Sequence, residues 1–207
     1  MVVRVHPPGD LLAVWKPTAG ERPLADFPSG TLTRREVAAF EVSEALGWRI
    51  VPPTVLREGP FGEGMLQAWI HPDPAVDVVA LIMAADPRLR RVAVFDAIVN
   101  NTDRKGGHVL PVGDGHVHGV DHGVTFSVRP KLRTVLWAWR GTPLEPDELE
   151  GVERVRGALD GALGIRLRDL LATREVAATR RRVEALLSDG VFPEPREDWP
   201  AVPWPPF

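Results

Sequence analysis

A tight turn in the middle of the chain brings acidic and histidine side chains to one place. The stretch from 101 to 123 reads NTDRKGGHVLPVGDGHVHGVDHG and contains four of the six histidines. Its central Gly-Asp-Gly, between two runs of β-forming residues, is typical of a β-hairpin turn. Folding the chain about Asp114 places position 121 opposite positions 107–108. We therefore expect His108 and Asp121 to lie close together, with Asp103 pointing into the same space.

The second arm of this hairpin also contains a possible metal-binding pattern. His116-x-His118 followed by Asp121-His122 is similar to the metal-binding signature of the metallo-β-lactamase superfamily, but two residues separate His118 from Asp121 where that signature has one. On an extended strand His116 and His118 share one face, while Asp121 points to the other. A metal-dependent hydrolase is therefore the last function we consider, and both histidines are interpreted as exposed strand residues.

The residues before the hairpin predict the order strand, loop, helix, strand, strand. LLAVWK at 11–16 is predicted as the second arm of a hairpin that turns at Pro8-Gly9-Asp10. Thr31 or Thr33 can cap the start of an amphipathic helix that ends at Gly47, and Thr33-Arg34-Arg35-Glu36 fits the capping-box pattern. The extended segments that follow are 50–56 and 65–70.

The rest of the chain is predicted to be mainly helical. Helical apolar spacing covers 76–83, 89–99, 147–160 and 165–187. The proline-rich segment 191–207 is expected to lack regular structure, with its aromatic residues Trp199, Trp204 and Phe207 as candidates for packing against the body.

Composition excludes several classes of function. The chain has no cysteine, which rules out disulfides, zinc–thiolate sites and thiol nucleophiles. Its net charge of −3 gives no general affinity for nucleic acid or for an anionic membrane. The N-terminus lacks the pattern of a signal peptide, and no apolar run approaches the roughly 20 residues of a membrane-spanning helix. We therefore expect a cytoplasmic protein without a membrane span.

The order of the acidic residues favours a kinase-like site. A helix, a loop with Asp103, a strand from His108, a tight turn and an acid before glycine is the order of the catalytic and metal-binding segments of protein-kinase-like enzymes. Such an enzyme also needs a lysine on a strand and a glutamate on the next helix, and Lys16 and Glu36 stand at these places. Singly, a strand-end lysine is usually a solvated charge and a first-turn glutamate usually serves the helix dipole.

Longer segments carry a family resemblance. FDAIVNNTDRKGGHVL followed by VHGVDHG resembles the catalytic region of the phosphatidylinositol 3-/4-kinase superfamily, especially the type II phosphatidylinositol 4-kinases and the related HipA-type kinases. EVAAFEVSEALGWRIVPPTVL and GMLQAWI resemble the helix–strand segment and the interlobe strand of the same group. The resemblance covers about residues 11–126 and points most closely to an uncharacterised actinobacterial family of lipid-kinase-like proteins.

The resemblance implies a fold and an activity. The fold would be a two-lobed α+β kinase-like domain, with a small β-rich lobe at 1–70, a helical lobe at 71–207 and the nucleotide in the cleft. The activity would be ATP-dependent and Mg²⁺- or Mn²⁺-dependent phosphate transfer to a hydroxyl of a protein, lipid or small molecule. Two alternatives remain open, a catalytically inactive nucleotide- or partner-binding pseudokinase and a kinase-like enzyme that transfers AMP.

The resemblance also implies how the nucleotide is held. Lys16 would pair with the α- and β-phosphates of ATP, and Glu36 would orient Lys16. The backbone at Gln67, Ala68 and Trp69 would bond the adenine. The glycine-rich hairpin expected before the lysine is missing, since HPPGD is only a short turn. Either the coding sequence begins upstream of Met1 or the nucleotide is held in another way.

The remaining roles concern catalysis and the metal ion. Asp103 would accept or orient the substrate hydroxyl, and Arg104 would position Asp103 or a phosphate. Asp121 and His108 would hold the divalent ion. His108 stands where the family pattern has asparagine, and imidazole suits Mn²⁺ or Zn²⁺ better than Mg²⁺, which prefers oxygen.

Overall fold

The computed structural model describes residues 1–5 and 11–207. Four antiparallel strands form one sheet in the order β1-β2-β4-β3, namely β1 (Val2–Val5), β2 (Leu11–Pro17), β3 (Thr54–Gly59) and β4 (Gly62–Ala68). A helix, α1 (Leu32–Leu46), lies between β2 and β3, so the predicted order of elements is confirmed. The turn predicted at Pro8-Gly9-Asp10, and with it the HPPGD segment, lies outside the described residues.

The later part of the chain is mainly helical. Its helices are α2 (Val78–Met83), α3 (Arg90–Val99), α4 (Pro146–Leu159), α5 (Ala162–Leu170) and α6 (Thr173–Asp189). The single helix predicted over 165–187 was wrong, because Leu171 and Ala172 are extended and separate α5 from α6. The carboxylate of Glu175 accepts from the backbone N–H of Ala172 and caps the new helix at 2.9 Å. The apolar spacing continues through the break and therefore did not indicate it.

The predicted hairpin forms between α3 and α4. Its strands are β5 (Val109–Pro111) and β6 (Val117–Gly119), which pair antiparallel with Val109 opposite Gly119. Gly115 has a φ of 83°, a left-handed conformation that glycine adopts without steric cost. A 3-10 helix, Trp137–Trp139, follows, and the side chain of Trp139 is buried.

Helix α1 links the sheet to the later helices. It contacts β3 and β4 as well as α4 and α5, and Val42 and Leu46 belong to the same buried apolar cluster as Val152 of α4 and Leu167 of α5. Gly47 ends the helix with a φ of 72°, as the sequence predicts. The predicted capping box was wrong, because the helix starts before Thr33 and the Glu36 side chain points to other partners.

The architecture therefore belongs to the α+β class, with a small antiparallel sheet and several helices. None of the helices in the described ranges, 1–5 and 11–207, is both long and apolar enough to cross a bilayer.

Candidate active site

Three charged side chains from distant parts of the chain meet at one point. Lys16 lies near the end of β2, Glu36 in the second turn of α1, and Asp121 just after β6. The Nζ atom of Lys16 lies 2.7 Å from Glu36 Oε1 and 2.7 Å from Asp121 Oδ1. The other oxygen of Glu36 accepts from the backbone N–H of His122 at 2.8 Å, which explains why it does not cap its own helix. The structure thus brings together three of the residues singled out in the sequence.

The charges of this group do not balance, because two carboxylates face one ammonium. Burial alone would lower the pKa of Lys16, but the attraction of Glu36 and Asp121 outweighs it and raises that pKa. Burial raises the pKa of Glu36, although Lys16 opposes the shift. Burial also opposes the ionisation of Asp121, but Lys16 outweighs this effect and the pKa of Asp121 is lowered. The group therefore offers a charged lysine for an anion and a surplus carboxylate for a cation.

His108 turns its ring toward Asp121, as the hairpin geometry predicts. Its Nε2 lies 3.4 Å from Asp121 Oδ2, and its Nδ1 lies 3.1 Å from the backbone oxygen of Asp103. A carbonyl oxygen only accepts, so Nδ1 carries the proton and a neutral His108 presents the Nε2 lone pair to the carboxylate. Burial favours the neutral form and lowers the pKa of His108, despite the opposing attraction of Asp121. Two electron-pair donors that face each other suit a shared cation.

The backbone of Asp121 adopts a conformation that non-glycine residues rarely use. Its φ of 62° lies in the left-handed region, which aspartate tolerates better than most side chains. The neighbouring contacts hold it there, since Val120 N donates to His108 O at 3.0 Å and His122 N donates to Glu36. Such conformations concentrate at functional sites.

Asp103 lies on the loop 101–108 beside two cations. Its backbone N–H donates to Asn101 Oδ1 at 3.0 Å. Its carboxylate has Arg133 Nη2 at 3.5 Å and Lys105 Nζ at 3.7 Å. Both cations were missed by the sequence reasoning. Lys105 stands two residues after Asp103, so its proximity could have been predicted from the sequence. Nothing in the local sequence connects Arg133 to this loop.

Arg104 has a different place from the one predicted. Its side chain is completely buried, and it pairs with both oxygens of Asp96 at 2.8 Å. The same guanidinium donates to the backbone oxygens of His108 and Val120 at 3.2 and 3.1 Å, and to His122 Nε2. It contacts neither the carboxylate of Asp103 nor open space where a phosphate can enter. Arg104 therefore fixes the two ends of the hairpin, and its assignment as a catalytic residue is corrected to a structural one.

His122 is buried beneath the charged group. Its ring stands edge-on to Phe95 with centroids 5.3 Å apart, and Nε2 accepts from Arg104 at 2.7 Å. The proton must then sit on Nδ1, which has no hydrogen-bond partner in the described residues. Burial lowers the pKa of His122 well below its ordinary value, and the nearby Arg104 and Lys16 act in the same direction.

This shift predicts that the folded protein loses stability as the pH falls below about 6.5. The unfolded chain binds a proton on His122 at the ordinary pKa of 6.5, whereas the folded state does not. The unfolded state thus binds more protons, so His122 alone decreases the free energy of unfolding by up to about 1.4 kcal/mol per pH unit, and His108 and His118, whose pKa values are also lowered, add to the slope. Denaturant unfolding between pH 7 and pH 5 measures the slope. His122→Gln keeps an acceptor for Arg104 and is expected to flatten it, and an unchanged slope would contradict the assignment.

Two cavities border Lys16 and Asp121 on different sides. One of about 380 Å³ is also lined by Glu36 and Asp103. The other, of about 350 Å³, is lined by His108 and by the predicted adenine-binding segment Gln67, Ala68 and Trp69. Both cavities are therefore continuous with the charged group, and together they place the predicted residues, except Arg104, around one site.

The segment 67–69 is less available than predicted. The backbone N–H groups of Ala68 and Trp69 donate to Pro53 O and Leu12 O at 2.9 and 3.0 Å. The side chain of Gln67 is buried and donates to Thr54 at 2.9 Å. The expectation that backbone donors at 68 and 69 bond adenine is therefore corrected, because the sheet already uses them.

His116 and His118 are not simply exposed, as predicted. Both are half-buried, with ring centroids 4.5 Å apart. His116 Nε2 donates to Arg49 O at 2.9 Å, and His118 Nδ1 donates to Ile50 O at 3.2 Å. The pair therefore joins the hairpin to the segment before β3, and it lies outside the charged group.

The comparisons with known proteins add a relative. No protein-family model matches the sequence. The chain is 44% identical, over an alignment of 232 positions, to Protein Rv2133c of Mycobacterium tuberculosis (strain ATCC 25618 / H37Rv). That alignment covers 95% of this chain and 83% of the relative. The chain therefore belongs to the same family as Rv2133c.

Proposed function

We propose that the protein is an ATP- and divalent-metal-dependent phosphotransferase that acts on a hydroxyl group. The observation that carries this proposal is the contact of Lys16 with Glu36 and Asp121 at 2.7 Å each, beside a cavity that Asp103 also lines. A kinase-like enzyme needs this set, since phosphate transfer depends on positioning and on neutralising charge. The sheet with α1 would then form the small lobe and the later helices the large lobe of a two-lobed kinase-like domain.

Each residue of the site would have its own role in the reaction. Lys16, oriented by Glu36, would bind phosphate oxygens of ATP, and the cavity beside 67–69 would take the base. The acceptor oxygen would attack the γ-phosphorus, the bond from that phosphorus to the β,γ-bridging oxygen would break, and ADP would leave. The proton of the acceptor hydroxyl would pass to Asp103. We call the loop 101–108 the catalytic loop for this reason.

A divalent ion fits the donor set beside Lys16. No group of three or more His, Cys, Asp or Glu side chains is placed to hold a metal ion in the part of the chain that the structure describes. His108 and Asp121 supply two donors 3.4 Å apart, so phosphate and water would complete the shell, as is usual for Mg²⁺ in such enzymes. The ion would neutralise phosphate charge. Asp121 and His108 are the residues that would hold it.

One observation favours the alternative of a catalytically inactive binding module. The N–H groups of Ala68 and Trp69 are engaged in the sheet, which leaves fewer donors for adenine than an ordinary kinase offers. A kinase-like enzyme that transfers AMP uses the same residues with the nucleotide reversed. Mass spectrometry of acceptor pools incubated with ATP separates the three cases, because it detects added phosphate, added AMP or no change.

Nucleotide binding is expected to depend on the metal through His108. ATP with Mn²⁺ should raise the thermal midpoint more than ATP with Mg²⁺, because imidazole suits Mn²⁺ better. At one ATP concentration for both metals, a hundredfold above the Kd measured with Mn²⁺, the shift with Mn²⁺ should be about 5–10 °C for a chain of this size. His108→Asn supplies an oxygen donor and should reverse the order of the two metals.

Two further variants make this measurement decisive. His116→Asn changes a histidine of the same hairpin outside the charged group and should keep the wild-type order. Lys16→Met should abolish the shift with either metal. If no pair of nucleotide and metal shifts the wild-type midpoint, the proposed phosphotransferase and the inactive nucleotide-binding alternative are both wrong, and of the inactive forms only a partner-binding module remains.

A further inference from the structure

The end of the chain touches the catalytic loop directly. Pro206 O accepts from the backbone N–H of Gly106 at 2.8 Å. The ring of Phe207 lies on Gly106 so closely that a Cβ atom at position 106 would overlap it. A larger residue at 106 would therefore displace this ring from the loop. Gly106 lies between Asp103 and His108, so the contact acts in the middle of the loop.

A second contact reaches the loop through the segment 133–135. Arg104 N donates to Arg133 O at 3.0 Å, and Val135 N donates to Arg104 O at 3.1 Å. On the other side, Thr134 N donates to Ala201 O at 3.0 Å. The indole N–H of Trp137 donates to the same oxygen of Ala201 at 2.8 Å. The segment 133–135 is thus held between the catalytic loop and residue 201.

A third set of contacts connects Trp199 to Asp103 through Arg133. The Lys131 ammonium lies 4.4 Å from the centre of the Trp199 ring, and the Arg133 guanidinium lies 5.8 Å from it, both within the range of cation–π attraction. Arg133 donates through Nε to Thr102 O at 2.7 Å and lies 3.5 Å from Asp103 Oδ1. Trp199 therefore fixes a cation that in turn contacts both the backbone of the loop and its carboxylate.

We infer that residues 199–207, here called the tail, position the catalytic loop for phosphate transfer. Trp199 acts through Arg133 on Asp103, and Phe207 acts on the backbone at Gly106. Both are positioning residues, since neither lines the two cavities beside Lys16. The inference rests on the proposed function for its catalytic consequence, whereas the contacts themselves do not.

The tail also contains an aromatic residue that can serve for a control variant. Trp204 lies between the two contacting residues in sequence, but it is 87% exposed, whereas Trp199 is partly buried. Trp204→Ala removes an aromatic side chain from the same segment without removing a contact to the loop. Trp199→Phe keeps an aromatic face for Lys131 and Arg133 and serves as the conservative replacement.

Amide hydrogen exchange of the catalytic loop tests the positioning itself. In Phe207→Ala the N–H of Gly106 should exchange about tenfold faster or more, because its local opening becomes easier. In Trp199→Ala the N–H groups of Arg104 and Arg133 should exchange faster. Trp204→Ala and Trp199→Phe should match the wild type, and exchange in α4 should stay unchanged in all four. Unchanged exchange at Gly106 in Phe207→Ala would overturn the inference.

Hydrolysis of ATP with Mn²⁺, with water as the acceptor, tests the catalytic consequence. Trp199→Ala and Phe207→Ala should lower kcat about 10- to 100-fold, because small displacements of reacting groups are costly, and should leave KM for ATP unchanged. A rise in KM with unchanged kcat, or an equal loss in Trp204→Ala, would overturn the inference. Wild-type protein without any turnover would instead count against the proposed function, and the exchange at Gly106 would still decide whether the tail holds the loop.

Discussion

Asp103→Asn is expected to slow phosphate transfer by about 10²- to 10⁴-fold and to leave nucleotide binding unchanged. Asparagine has the shape of aspartate and keeps an oxygen toward Arg133 and Lys105. It cannot take up the proton of the attacking hydroxyl. Asp103 does not contact Lys16, so the residues that would bind phosphate oxygens stay in place.

Single-turnover measurement of phosphate released from ATP, together with nucleotide-induced thermal shifts, tests this expectation. Asp114→Asn is the matched control, because Asp114 is an acid of the same stretch whose carboxylate accepts from the backbone of His116 in the hairpin turn. It should retain wild-type turnover. Full turnover in Asp103→Asn would remove Asp103 from the proposed mechanism, and an equal loss in both variants would show that the hairpin as a whole had been disturbed.

The local features of the fold were predictable because short-range physics determines them. Gly47 ends α1 and the Gly-Asp-Gly turn closes the hairpin, since both places need backbone conformations or turn residues that the sequence displays. Once the hairpin is fixed, the approach of His108 to Asp121 follows from counting residues back from the turn. The contact at 3.4 Å confirms that geometry.

Features that depend on distant partners were not predictable in the same way. Arg133 and Asp103 are 30 residues apart, and Lys16 and Asp121 are 105 apart. From the sequence, Lys16 was expected beside Glu36 and Asp121 beside His108, but a direct contact between Lys16 and Asp121 was not predicted, and Arg133 was not considered at all. The break at Leu171 was missed for another reason, since apolar periodicity is the same on both sides of it.

Arg104 was misassigned because an arginine next to an acid in a loop is ordinarily exposed. Its position is decided by Asp96 on α3, eight residues earlier, whose carboxylate is also fully buried. Asp96 accepts from Asn101 as well, so the helix end and the loop 101–108 share one buried network. A sequence pattern gives the spacing of these residues but not which of them turn inward.

Arg104→Met is expected to lower the free energy of unfolding by about 3–5 kcal/mol, the usual cost of removing one partner from a buried ion pair. Methionine has a comparable length and fills the space. Among the described residues it leaves the buried Asp96 carboxylate with only the amide of Asn101 as a partner, and it leaves the backbone oxygens of His108 and Val120 without this donor. Denaturant titration of the wild type and the variant measures the loss.

The pair Arg88–Asp86 provides the control, because it has the same two-point geometry at 2.9 Å but lies at the surface. Arg88→Met should cost less than about 1 kcal/mol. The double variant Arg104→Met/Asp96→Leu should recover part of the loss, since it removes the stranded charge, although the backbone oxygens of His108 and Val120 still lack the Arg104 donor. If Arg104→Met costs no more than Arg88→Met, the buried network does not hold the hairpin, and the rigid placement of His108 and Asp121 must come from the strands alone.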